Sequence, residues 1–269
     1  MNKKLITAIT AVSAASMLGL SIMAAPAVNG RKTCEAYIAD ITLDGKVDDA
    51  WKYAPEIKVE TVKKNASSWY GDKTKVAGKD YATVTCKVLW NGKDKLFLLY
   101  DVKDKVISLK GANGWEKDSI EYFIQLDNST DKSAEKVQKR LMADNSASDI
   151  GTTDYGYSKT ADGFIYEISV DVSKVGGAGQ YLGIDFQYND DAEGKGVRNV
   201  CLGWSDSTDK ASSDPSVYGQ CLLSDKTVAS IIEAEKAAQK NPATADGFSI
   251  AALAASAAAF VGTTFRRRK

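Results

Sequence analysis

The segment from Trp115 to Leu126 carries side chains of the kind that hold sugars. Two sets alternate along it: Ile120, Tyr122, Ile124 and Leu126 on one face, and Glu121, Phe123 and Gln125 on the other. This alternation predicts a strand with an apolar core face. The opposite face presents a carboxylate, an aromatic ring and an amide beside a tryptophan. Rings stack on the apolar C–H faces of sugars and planar polar groups fix their hydroxyls, so we predict a carbohydrate-contacting surface.

The composition argues against catalysis. Glycoside hydrolysis needs two facing carboxylates, but Asp118 and Glu121 are an odd number of residues apart and point to opposite faces of a strand. The chain has no histidine, which excludes Ser-His and Cys-His catalysis, His-ligated zinc and His-axial haem. The formal net charge is +0 and no basic stripe is interleaved with aromatic residues, so we expect no nucleic-acid partner.

The four cysteines leave two alternatives open. They are Cys34, Cys86, Cys201 and Cys221, and none forms a C-x-x-C pair that would indicate a metal site. An even number in an exported protein permits two disulfides, in three possible connectivities. Buried free thiols are the alternative, because Cys86 shares a face with Val84 and Val88 and is predicted to lie in the core.

The amino-terminal residues predict a signal peptide. Lys3 and Lys4 precede an apolar run, and Ala25-Pro26-Ala27 has the A-x-A form of a cleavage site. We therefore assign residues 1–27 to a leader and expect an exported protein. A membrane-spanning helix is the alternative for this segment.

The carboxy-terminal residues 241–269 resemble the cell-wall sorting signal of Gram-positive surface proteins. The sequence Asn-Pro-Ala-Thr-Ala-Asp is followed by an apolar segment, 248–265, and a basic tail, 266–269. In such signals a sortase cleaves after the threonine, here Thr244, and joins it to the cell wall or to another surface protein. The commonest motif is Leu-Pro-x-Thr-Gly, so Asn241 and Ala245 depart from it. A permanent carboxy-terminal membrane anchor is the alternative.

The residues between these ends predict one all-β domain, 28–224, followed by a helical spacer, 225–240. The candidate strands are 83–90, 96–103, 119–127, 164–172, 182–189, 197–204 and 219–223. A short helix is predicted at 131–142. The pattern is typical of an antiparallel β-sandwich with jelly-roll or immunoglobulin-like layers. Trp51, Trp90 and Trp204 fall in apolar patterns and are expected in the core, whereas Trp115 follows a glycine-containing loop and is expected to be exposed.

An ordered set of segments covers almost the whole body of the chain: 41–51, 88–91, 102–104, 115–121, 183–191, 196–198, 203–206 and 214–219. Together they resemble family 9 carbohydrate-binding modules, within the wider DOMON-like sandwiches. In that family two tryptophans sandwich the end of a glycan while charged and amide groups grip its hydroxyls.

The resemblance implies a set of sugar-contacting residues in this chain. They are Trp115, Glu121, Gln187, Asn189, Arg140, Asp104 and Asp209. The strand alternation independently places Glu121, Gln187 and Asn189 on non-core faces. The position of the second clamp tryptophan is occupied by Ser212, and a hydroxymethyl group cannot replace an indole. Three alternatives follow: the affinity is weak, another ring substitutes, or the ligand has changed. The candidate substitute rings are in two segments expected to be loops, 69–70 and 155–157.

The family often carries structural calcium, which oxygen-rich loops such as Asp190-Asp191 would suit. For Asp44 and Asp49 the sequence allows either turn capping or calcium ligation. We expect a non-catalytic surface protein that captures plant-type polysaccharide or oligosaccharide ends. One alternative is a structural or adhesive subunit with a degenerate sugar site. Another is a DOMON-type electron-transfer domain, which the absence of histidine disfavours.

Overall fold

The computed structural model describes residues 27–63, 80–148, 150 and 154–240, with side chains up to residue 237. In order, the described strands and helix are β1 (Thr33–Ile38), β2 (Ile57–Lys58), β3 (Thr61–Val62), β4 (Thr83–Trp90), β5 (Lys95–Lys103), β6 (Ser119–Gln125), β7 (Val137–Met142), β8 (Asp154–Lys159), β9 (Gly163–Asp171), β10 (Tyr181–Asp190), β11 (Val200–Gly203), β12 (Gly219–Thr227) and α1 (Val228–Lys240). Short 3₁₀ turns lie at Asp49–Lys52, Gly114–Glu116 and Pro215–Val217.

Both predicted targeting segments fall outside this range almost entirely: only Ala27 of the leader is described, and none of the sorting signal. Among the described helices none is both long and apolar enough to cross a membrane.

The strands form one branched sheet that folds over a shared core. The main order is β3-β11-β10-β12-β1-β4-β5-β9-β8, with β2 added to β4, β6 to β10 and β7 to β6. Rings from β5 and β9 meet rings from β10 across the core: the centroids of Tyr100 and Phe186 are 5.7 Å apart, and those of Phe164 and Tyr188 are 6.3 Å apart. These contacts define the two layers of a β-sandwich.

The predicted antiparallel arrangement holds for every described pair except those of β1. This strand is parallel to both of its neighbours, β12 and β4. Parallel neighbours cannot be joined by a tight hairpin. Strands far apart in sequence therefore meet at β1, which the local pattern does not reveal.

The helix predicted at 131–142 is wrong, because its second half forms β7 and pairs with β6. Along β7, Gln138 and Arg140 point toward the Glu121 face, whereas Leu141 joins the core. This alternation has a period of two, which a helix would not maintain. The sequence prediction also omitted β1, β2, β3 and β8. The carboxy-terminal helix predicted within residues 225–240 is confirmed as α1.

Of the three apolar clusters among the described residues, the two largest hold the sandwich. The larger lies between the layers and includes Trp90, Trp204 and Cys86, each buried as predicted. The smaller lies on the outer face, where Trp51 packs with Phe97 and with Val228 at the start of α1. All four cysteines are buried, and the structure shows no bond between any two of them.

Candidate functional site

Adjacent strands bring four of the predicted sugar-contacting residues onto one face of the sheet. Glu121 of β6 is the register partner of Gln187 on β10 and of Arg140 on β7. Asn189 lies two residues beyond Gln187 and therefore points the same way. The face is opposite the one that Ile120 and Tyr122 direct into the core.

The Glu121 carboxylate is the centre of this face. Its Oε1 atom accepts hydrogen bonds from Arg140 Nε at 2.8 Å and Asn189 Nδ2 at 2.7 Å, and lies 2.8 Å from Arg140 Nη2. Its Oε2 atom accepts one from Gln138 Nε2 at 2.7 Å. Such charge-assisted bonds are roughly twice as strong as neutral ones, so the carboxylate is held in one orientation.

The two amides extend the hydrogen-bond chain along β10. Gln187 Nε2 donates to Asn189 Oδ1 at 2.9 Å, which also accepts from Arg198 Nη1 at 2.9 Å. Lys63 Nζ donates to Gln187 Oε1 at 2.5 Å and to an Asp206 oxygen at 3.1 Å. Arg198 also pairs with Asp209, 2.6 Å between Nη2 and Oδ2. Glu121, Arg140, Gln187, Asn189, Lys63, Asp206, Arg198 and Asp209 together form what we call the polar network.

Each cation of the polar network faces one carboxylate: Lys63 with Asp206, Arg140 with Glu121, and Arg198 with Asp209. Burial would lower the pKa of Lys63, but the nearby Asp185 and Asp206 carboxylates help to raise it, which keeps the amine charged. The three cations of the polar network thus match its three carboxylates in formal charge, with Asp185 as a further buried acid nearby.

Four members of this region were missed by sequence reasoning as site residues: Lys63, Gln138, Arg198 and Asp206. For Gln138 the two-residue period of 137–142 was an available signal. Lys63 and Asp206 carry no local signal, because a separation of 143 residues divides them and only the fold brings them together.

The residues of the sheet face form the floor of the polar network, and this floor is closed to solvent. The exposed fractions of Glu121, Gln187 and Asn189 are 1%, 4% and 0%. Phe123, predicted on the same outward face, is also buried, because Ala211 and Tyr218 cover it. The loop that carries Ala211 is folded around Asp206, whose Oδ2 accepts from the backbone N–H groups of Lys210 and Ala211. A sugar can reach this floor only if covering groups move.

Trp115 lies outside the polar network, in the loop that leads into β6. It sits in the 3₁₀ turn Gly114–Glu116 beside β10, and 47% of it is exposed, which confirms the predicted exposure. Ser212 is exposed next to Ala211 and brings no ring to that position.

The proposed substitute rings do not complete the clamp. Tyr155 and Tyr157 belong to β8 and pack on Tyr166, with centroid distances of 5.3 and 4.9 Å. Both rings pack against the edge of the core, and both residues lie in a strand, so the prediction that they lie in a loop is wrong. Residues 69–70 lie outside the described range.

Asp104 is not brought together with the other predicted sugar-contacting residues, and its role as a sugar contact stays a prediction. It joins Asp118 and Asp190 in a buried cluster whose nearest carboxylate oxygens all lie within 4.8 Å of one another. Its Oδ2 atom accepts a hydrogen bond of 2.7 Å from Tyr188, a residue of the core face. The resemblance aligned this position, but the fold turns its side chain to the other side of β10.

The buried acid cluster has the donor set that calcium prefers. Burial and then the neighbouring carboxylates raise the pKa of Asp118 to about 9 and that of Asp190 to about 8. Asp190 Oδ1 is buried and has no hydrogen-bond partner. Three converging carboxylates and a free buried oxygen fit a hard cation such as Ca²⁺. Asp44, in contrast, caps its own turn by accepting from Lys46 N at 2.9 Å.

The acid cluster also fixes the loop that presents Trp115. Asp118 Oδ2 accepts from Ser108 N at 2.6 Å, and Asp118 N donates to Ser108 O at 2.9 Å. Ser108 Oγ donates to Asp191 at 2.6 Å, and Asp191 N donates to Asp118 Oδ1 at 2.6 Å. The base of the loop is therefore tied to the end of β10.

A β-sandwich with a face of amide, carboxylate and guanidinium groups, and an exposed tryptophan in the loop before β6, is typical of a module of the carbohydrate-binding class. The chain belongs to family 9: the profile described as carbohydrate family 9 binding domain-like matches residues 43–226.

Relatives and solved structures agree with this family. The chain is 34% identical over 193 residues to endo-1,4-beta-xylanase C of Paenibacillus barcinonensis, a match that covers 69% of this chain and 16% of that protein. It is also 30% identical over 224 residues to exoglucanase XynX of Acetivibrio thermocellus, a match that covers 74% of this chain and 19% of that protein. The chain thus matches less than a fifth of either relative.

A family 9 module from Caldicellulosiruptor kristjanssonii in complex with glucose shares the fold, with a TM-score of 0.61 at 21% identity over 73% of this chain and 97% of that one. The structure of that module in complex with cellotriose has a TM-score of 0.61 at 21% identity, and the match covers 73% of this chain and 95% of that one.

Proposed function

We propose that this protein is a non-catalytic, cell-surface receptor for the ends of neutral plant-type glycans and their oligosaccharides. The observation that carries the proposal is the polar network around Glu121, built on the sheet face beside an exposed tryptophan in a family 9 sandwich. The solved modules in complex with glucose and cellotriose support the ligand class.

In this proposal Trp115 provides the stacking surface and the polar network recognises hydroxyl groups. The carboxylate, amide and guanidinium groups offer both donors and acceptors, as sugar hydroxyls require. The pairing of each cation with a carboxylate favours a neutral sugar, because an acidic sugar would leave one carboxylate of the site without its partner. Binding requires the sugar hydroxyls to exchange with hydrogen bonds now made within the network.

Surface display is proposed from the sequence of the two ends. Export by the leader, followed by sortase cleavage after Thr244, would attach the module to the cell wall or another surface protein. Helix α1 follows β12 directly and would be a short spacer. Mass spectrometry of the protein released by wall-digesting enzymes tests this: a carboxy-terminal peptide whose Thr244 carbonyl is amide-linked to a wall fragment supports it. An intact 245–269 segment in the membrane fraction supports the anchor instead.

Structural calcium is proposed at Asp104, Asp118 and Asp190. The ion would supply positive charge to these buried carboxylates, and it would hold the Ser108–Asp118 contact at the base of the Trp115 loop. Calcium would thereby support sugar binding without touching the sugar.

A structural or adhesive subunit with a degenerate sugar site is the second candidate. The exposed Ser212 in place of a ring and the closed floor of the polar network favour it. In that case the network would be a stabilising element of the sheet.

Calorimetric titration of the full-length chain with glucose, cellotriose and xylo-oligosaccharides separates the two. Replacing Trp115 by Ala should weaken binding about 5- to 150-fold, from the roughly 1–3 kcal/mol that an aromatic platform provides. The matched control is Val47→Ala, since both residues are 47% exposed. Unchanged affinity of Trp115→Ala would refute the role of this residue. Absence of binding to any glycan by the parent protein would favour the structural subunit.

A further inference from the structure

Two cysteines face each other in the centre of the sheet. Cys34 on β1 is the register partner of Cys221 on β12, and these strands are parallel. Both side chains belong to the core between the layers, with exposed fractions of 7% and 0%. Paired residues on neighbouring strands have Cα atoms about 5 Å apart, within the roughly 4.4–6.8 Å that a disulfide spans.

The two thiols also lie on the same side of the sheet, because the side chains of register partners on parallel strands leave the sheet in the same direction. Burial raises the pKa of the Cys34 thiol well above its ordinary value, and the neighbouring Cys221 thiol raises it further.

The other two cysteines are arranged differently. The β1–β4 register pairs Tyr37 with Leu89, which places Cys86 next to Cys34 on its other side. The Cys86 thiol, however, forms a hydrogen bond with Tyr100, which lowers the pKa that burial raises. Cys201 lies apart at the polar network, where its sulfur contacts Arg198 at 3.7 Å and Asp209 at 3.6 Å.

We propose that Cys34 and Cys221 are a disulfide-forming pair, oxidised by a small-molecule disulfide of the glutathione type. One cysteine thiolate attacks a sulfur of the oxidant, forms a mixed disulfide and expels one small thiolate. The second cysteine thiolate then attacks the protein sulfur of the mixed disulfide and expels the second. The protons of the two cysteines pass to the two released thiolates, so two small thiols are produced for each protein disulfide.

The burial of the two cysteines determines at which stage of folding the disulfide can form. A closed sandwich shields both sulfurs from the oxidant, so the exchange takes place while β1 is undocked during folding. After docking, the same burial protects the bond from reduction. The bond would covalently join the first described strand to the last, across nearly the whole length of the folded chain.

Peptide mapping tests the pairing directly. Trypsin places each cysteine on its own peptide: residues 33–46, 80–87, 199–210 and 211–226. The full-length chain is unfolded, refolded with oxidised glutathione, alkylated and digested. We expect a linked species of 33–46 with 211–226, and alkylated 80–87 and 199–210. A link between 33–46 and 80–87, or four alkylated peptides, would overturn the proposal.

Thermal unfolding provides a second measurement. The oxidised chain should melt about 5–15 °C above the same chain after reduction, the range expected for a bridge that closes a long loop. Cys221→Ala should abolish that difference, whereas Cys201→Ala should retain it. If Cys221→Ala fails to fold, Cys221→Ser replaces it, and the mapping of the unmodified chain remains decisive. If peptide mapping shows the disulfide but the chain melts at the same temperature before and after reduction, the stabilising role of the bond is refuted.

Discussion

Replacing Arg140 by Met should destabilise the protein strongly, because it leaves the buried Glu121 carboxylate without its counter-charge. Arg140 Nε and Nη2 both lie 2.8 Å from Glu121 Oε1, and the two side chains are 5% and 2% exposed. Removing one partner of a buried ion pair costs about 3–5 kcal/mol. Gln138 and Asn189 would still donate to the carboxylate. We therefore expect about 3 kcal/mol, the lower end of that range.

Urea unfolding followed by tryptophan fluorescence measures this loss, since the chain contains 5 tryptophans. Adding Glu121→Gln to Arg140→Met should recover most of the stability, because a neutral amide needs no counter-charge. Lys52→Met is the contrasting control: Lys52 pairs with Asp49 at 2.6 Å, but their side chains are 72% and 90% exposed. That variant should unfold like the parent protein. The reasoning fails if Arg140→Met loses less than about 1 kcal/mol or if Glu121→Gln gives no recovery.

Two further perturbations address calcium and the packing of β8. Adding calcium to chelator-treated protein should raise the melting temperature, and Asp118→Asn should remove this response; a response that survives the substitution would locate the ion elsewhere. Because the raised pKa values keep Asp118 and Asp190 protonated at neutral pH without the ion, calcium must displace protons and should bind more tightly at about pH 8 than at about pH 6. Gly156→Ala should destabilise the fold by about 1–3 kcal/mol, since an added Cβ would lie 2.4 Å from the Gly45 backbone nitrogen. Calorimetry that shows no loss for this variant would mean that β8 is free to separate from the 43–45 turn.

The alternation of side chains predicted the parts of the fold that are governed by local pattern. It placed β4 at its observed bounds, and it placed Glu121, Gln187 and Asn189 together on a non-core face. A strand that packs on one core has this pattern in its own sequence, so it can be recognised without knowledge of its neighbours.

The remaining features depend on contacts that no short segment contains. Strand β7 was taken for a helix because the pairing of Arg140 with Glu121 across the sheet leaves no signal in the local sequence. Asp104 was assigned to the sugar site because alignment fixes its position in the chain but not the side of β10 on which its carboxylate lies. The closure of the polar network likewise depends on Lys63 and Asp206, which meet only after folding.

The position of β12 affects how the module withstands a mechanical load. This strand is hydrogen-bonded to β10 on one side and to β1 on the other, and it continues directly into α1. A pull applied along β12 from its helical end must shear both ladders at once, so many hydrogen bonds share the force instead of breaking one after another. A module tethered at that end and holding a fixed polymer would then be expected to release the polymer before its own last strand is extracted.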